Sequence, residues 1–124
     1  MPTLRFASEH QEQSALFEWA GYYKKIVPEL ELLFAIPNGG LRHPAVARKL
    51  QKEGVQAGVP DTFLPVARGG RHGLYIEMKS ATGKVSACQQ LWHKLLAQQG
   101  YKVVVCWSWT EARDVLLAYL RTEI

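Results

Sequence analysis

Gly58-Val59-Pro60-Asp61-Thr62-Phe63-Leu64-Pro65-Val66, followed after a polar break by Leu74-Tyr75-Ile76-Glu77-Met78-Lys79-Ser80, is the stretch on which the fold turns. Both apolar pieces are short and carry aromatic and β-branched residues. The segment between them, Arg68-Gly69-Gly70-Arg71-His72-Gly73, has the glycines a chain reversal needs, which predicts an antiparallel hairpin. Pro65 has no amide hydrogen, so the first strand should have one unpaired side or a bulge. Side chains alternate along a strand. Leu74, Ile76 and Met78 therefore share one face and can pack under a helix, while Glu77 and Lys79 share the other.

Working outward, Leu16, Phe17, Trp19, Ala20 and Tyr23 lie at helical spacing between Ser8 and Lys25, with Ser8 as N-cap and Pro28 as a stop. Leu32-Leu33-Phe34-Ala35-Ile36 reads as a buried strand ending in the loop Pro37-Asn38-Gly39-Gly40. Pro44 suits a first helical position, and a short helix should run to Glu53 and end at Gly54. Ser86-Ala87-Cys88-Gln89 has the form of a capping box, followed by Leu91, Trp92, Leu95 and Leu96 on one stripe, with Gly100 as the stop. Lys102-Val103-Val104-Val105-Cys106-Trp107 predicts a strand buried on both faces. Ser108-Trp109-Thr110-Glu111 opens a last helix with Ala112, Val115, Leu116, Tyr119 and Leu120 inward. The order is α-β-α-β-β-α-β-α, an α/β fold with a mixed sheet flanked by helices.

The 124 residues suit a single domain spanning 1–124. Hydrophobic residues make up 48% and charged residues 21%, a globular composition that argues against disorder. A net charge of +4 permits an anionic partner without requiring one. No apolar run approaches the roughly 18 residues of a membrane span, and the N-terminal residues lack the apolar core of a signal peptide. Cys88 and Cys106 stand apart, without zinc-ligand spacing, and read as buried thiols in a reducing cytoplasm.

The hairpin brings charge to one place. If its strands pair, Asp61 starts the first strand level with the far end of the second, where Glu77 and Lys79 lie. Two carboxylates beside an ammonium suit Mg²⁺ or Mn²⁺, hard cations that take oxygen ligands and keep waters for a phosphate to displace. Such a cation makes a bound water more acidic and offsets charge growing on phosphate, and Lys79 can hold the water and counter the same charge. Each piece also has an ordinary use. Glu-x-Lys on a strand is more often an exposed polar face, and Asp after Pro is more often a turn residue. Their joint order around a hairpin makes a metal-dependent nuclease a candidate beside these ordinary readings.

These residues resemble the VRR-NUC (virus-type replication-repair nuclease) domain of the PD-(D/E)xK superfamily. The resemblance runs through Ser8-Glu9 with Gln13, Ile36-Pro37-Asn38-Gly39-Gly40, Gly54-Val55, Gly58-Val59-Pro60-Asp61 and Ile76-Glu77-Met78-Lys79. It continues through Gly83-Lys84-Val85-Ser86 to Gln89 and Trp92, and closes with Gly100-Tyr101-Lys102-Val103-Val104-Val105. It implies a restriction-endonuclease-like core and metal binding by Asp61, Glu77 and the Met78 carbonyl, with Lys79 as catalytic lysine. The family's first-helix glutamate maps best onto Glu9, as a further catalytic and metal-binding residue, with Glu12 as second choice. Capping acidity explains either without catalysis. The family glutamine maps onto Gln89, expected to face the site; closing the capping box with Ser86 is compatible with that. The resemblance further implies a standalone phage or prophage-type endonuclease in the cytoplasm of a bacterial or phage-infected cell. Its expected substrate is branched DNA such as a Holliday junction. A homodimer fits, since two sites related by a twofold axis can cut two strands.

Several features stay open. Asn38 and Gly39 can admit a nucleic-acid backbone or form a plain turn. Arg42, His43, Arg48, Lys49 and Lys52 concentrate positive charge that suits phosphate contacts, or merely a solvated helix. Arg68 and Arg71 read as a soluble turn. Trp107 and Trp109 read as core or interface before base-stacking residues. His10, His72 and His93 show no partner spacing and receive no role. Two other classes remain: a non-catalytic basic DNA-binding module of the same fold, and a structural subunit docking through its Trp-rich end. RNA cleavage is also open.

Overall fold

The computed structural model describes residues 6–37 and 43–124. Ser8 caps helix α1 (Glu9–Tyr23) through a reciprocal pair of hydrogen bonds with Gln11. Pro28 does more than stop that helix: it opens a short 3-10 helix, Pro28–Leu32. This turn takes Leu32 out of the expected strand, leaving β1 only Phe34–Ala35. The strand was expected to be buried, yet both residues are exposed because β1 is an edge pairing with one neighbour.

Helix α2 (Pro44–Lys52) begins at Pro44, with the His43 ring accepting from the Ala45 amide at 3.2 Å. It buries no residue. The hairpin forms as expected from β2 (Thr62–Leu64) and β3 (Leu74–Met78), antiparallel, with Thr62 opposite Ile76 and Leu64 opposite Leu74. Strand β2 stops before Pro65, as the missing amide requires. At the far end Arg68 and Arg71 bridge across Gly69 and Gly70, both at positive φ (56° and 77°) that glycine adopts without strain. Arg68 is less free than a soluble turn suggests, because it pairs with Glu29 at 3.1 Å.

Helix α3 (Ala87–Gln98) carries the chain across to β4 (Lys102–Cys106), which runs parallel to β3; a parallel pair needs such a crossover. Helix α4 (Trp109–Arg121) closes the fold. The sheet order is β1-β2-β3-β4.

The core lies on one face of this sheet. Leu74, Ile76 and Met78 of β3 are fully buried with Leu64 and Cys106, under Leu16 and Ala20 of α1 and Ala112, Leu116 and Tyr119 of α4. The Tyr119 hydroxyl donates to the Val66 carbonyl, tying α4 to the chain beyond β2. The other face is thinner. Val103, Val104 and Val105 are only partly buried, so β4 is not covered on both faces as expected. Helix α3 buries none of its residues, and Leu91 and Leu95 of its expected inward stripe are exposed. Gln89, Trp92, His93 and Leu96 are its partly buried residues instead. Cys106 is a buried thiol, but Cys88 is exposed. Among the described residues no helix is long and apolar enough to cross a membrane.

Candidate active site

Strand register sets the site. With Thr62 opposite Ile76, the preceding residue of one strand, Asp61, falls level with the next residue of the other, Glu77. Asp61 is fixed there by the Met78 amide, which donates to its Oδ2 at 2.8 Å. The Lys79 amide donates to the Cys106 carbonyl at 2.8 Å, so pairing with β4 continues one residue past β3 and holds Lys79 in line with Glu77. Glu77 is wholly buried, and Lys79 is 7% exposed. Burying an acid and a base together is costly unless their charges are used or paired.

Glu77 is under electrostatic stress. Burial pushes its carboxyl from the ordinary 4.5 up to about 9, aided by a hydrogen bond and like charge from Asp61, and more weakly by Glu9; Lys79 opposes the shift. Its Oε1 lies 3.3 Å from His93 Nε2. Its Oε2 is buried without a hydrogen-bond partner among the described residues. The His93 pKa is lowered by burial first and then by Lys79, with Asp61 acting the other way.

This arrangement fits a divalent cation. A buried, unpartnered carboxylate oxygen beside a second acid is a hard-oxygen pair short of positive charge, which such an ion supplies. Among the described residues no three His, Cys, Asp or Glu side chains gather into a ready metal cage. Mg²⁺ does not need one, because it commonly takes one or two carboxylates and fills its shell with water and phosphate.

Glu9 stands in the first turn of α1, exposed, yet Glu77 feels its charge. Glu12 is engaged elsewhere: its Oε1 accepts from the Trp109 amide at the start of α4, at 3.4 Å. Met78 presents its backbone at the centre of the site, its amide bound to Asp61. Gln89 closes the α3 capping box, its Oε1 accepting from the Ser86 amide at 2.9 Å. No hydrogen bond joins Gln89 to the carboxylates among the described residues. Arg48 and Lys52 are exposed on α2. Asn38, Gly39 and Arg42 lie outside the described residues. His93, given no role from the sequence, is the addition. Its signal was its position four residues after Gln89, on the same helix face.

The fold and this site define a nuclease-type domain. The VRR-NUC domain family model matches residues 6–109, and the chain belongs to that family, of the PD-(D/E)xK kind. A solved structure described as a VRR_NUC domain protein is 28% identical, with a TM-score of 0.79 over 94% of this chain and 91% of that one. No curated protein matches the sequence.

Proposed function

We propose that this chain is a Mg²⁺- or Mn²⁺-dependent endonuclease that hydrolyses phosphodiester bonds of branched DNA, such as Holliday junctions, as a homodimer. The observation that carries the reading is the meeting of Asp61, Glu77 and Lys79 at the end of one hairpin, with an unpartnered oxygen on Glu77. Asp61 and Glu77 would hold the cation, with the Met78 carbonyl and Glu9 completing the set. When bound, the cation makes water a better nucleophile and offsets the charge that grows on phosphate.

The chain's own groups do the rest. Asp61 keeps its position through the Met78 amide, which fixes its carboxylate beside that of Glu77. Lys79, held nearly dry, can orient the attacking water and counter the developing negative charge where low polarity strengthens the effect. Arg48 and Lys52 of α2, with Asn38, Gly39 and Arg42, offer contacts to the phosphate backbone, which position DNA without reading its sequence. Gln89 steadies the helix that covers Glu77. The expected products carry a 5′-phosphate and a 3′-hydroxyl.

Four-way junctions, flaps, duplexes and single strands, end-labelled and incubated with Mn²⁺, rank the substrates. Paired, symmetric nicks on the junction are expected from a dimer. Equal cutting of linear duplex and junction would remove the branched-DNA part of the reading.

A further inference from the structure

We propose that His93 is a positioning residue for Glu77, holding one carboxylate oxygen from α3 so that the other stays turned to the cation shared with Asp61. The inference rests on the metal-dependent nuclease reading and assigns that site a support it lacks in the strands alone.

Three observations carry it. His93 Nε2 lies 3.3 Å from Glu77 Oε1, with the histidine side chain 16% exposed and the glutamate fully buried, so the contact forms inside the protein. The remaining oxygen, Oε2, is the buried atom without a partner, the one left for a cation. The helix bearing His93 is also fixed against the site. Its first turn is locked by the Ser86–Gln89 capping box. It presses on Gly58, three residues before Asp61, so closely that a Cβ there would meet Cys88 Sγ at 2.6 Å and Trp92 Cδ1 at 2.8 Å. One rigid helix thus touches the segment leading into Asp61 and the carboxylate of Glu77.

A carboxylate with a single fixed rotamer binds a cation better than one free to turn, and outer hydrogen bonds commonly supply that restraint. His93 is poorly placed as a direct ligand, since its Nε2 already faces Glu77 Oε1.

The test compares wild-type protein with His93→Leu, which keeps bulk but removes the donor, and His93→Gln, whose amide nitrogen reaches a similar point. Binding of Mn²⁺ alone is read from the free-ion electron paramagnetic resonance signal, and cleavage is measured in parallel. Melting in EDTA checks folding. His93→Leu should weaken Mn²⁺ binding about 10- to 100-fold and His93→Gln should recover most of it. Should His93→Leu not fold, His93→Asn, whose shorter amide stops short of Glu77, takes its place. Unchanged Mn²⁺ affinity in a folded His93→Leu, or no recovery in His93→Gln, overturns the inference while leaving the nuclease reading intact. A wild-type chain that binds no Mn²⁺ overturns both.

Discussion

Glu77 sits where its surroundings make opposite demands. Its neighbours on β3 are core residues, its carboxyl is dry, and Asp61 adds like charge, so the folded chain favours the protonated acid up to about pH 9. The sign of the consequence is fixed. A carboxyl whose folded pKa lies above its unfolded value contributes stability that is complete below the unfolded pKa. That contribution is lost as pH rises through the folded one. Metal-free protein should therefore melt progressively lower from the ordinary carboxylate range toward about pH 9, and Glu77→Gln should flatten that slope. Thermal melts in EDTA at stepped pH check it; equal slopes in both proteins would contradict it. Added Mn²⁺ should raise the wild-type midpoint in proportion to the logarithm of its concentration, and much less in Asp61→Ala. Asp61, Glu77 and Lys79 were legible from the sequence because strand alternation and hairpin register are short-range rules. His93 was not, because its partner is 16 residues away across a crossover whose docking angle no local pattern encodes.

At the scale of elements, local signals placed what local chemistry determines. Ser8, Pro44 and Ser86 mark helix starts where the structure has them; the two serines each accept from a first-turn amide, and Pro44 takes the first helical position, where no amide hydrogen is needed. What the sequence misjudged was how well each surface is covered. The valines of β4 and the leucines of α3 are apolar enough for a core, but apolar composition cannot tell a two-sided core from a thinly covered face. Gly58 shows the coupling between elements most sharply. Its φ of +92° and the absence of a side chain are both needed where α3 meets the segment before Asp61. Gly58→Ala should cost about 2 kcal/mol or more, from strain and crowding together, measured by urea denaturation. A variant as stable as wild type would show that α3 is not wedged there.

Across the whole molecule, the sheet divides the labour between its faces. One face and two helices make the core, and the other carries Glu77 and Lys79 under a single helix that leaves Leu91 and Leu95 in solvent. A homodimer should sediment at twice the 14.0 kDa chain mass; a chain that remains monomeric at assay concentration would remove symmetric junction cutting from the account. Metal-dependent cleavage at the Asp61, Glu77 and Lys79 site can be read directly. End-labelled junction DNA should be cut by wild-type protein with Mn²⁺ or Mg²⁺ and left whole in EDTA. Asp61→Ala and Lys79→Ala should each lose at least about 100-fold in rate while still binding DNA. Cleavage that survives EDTA, or persists at the wild-type rate in both variants, would contradict it.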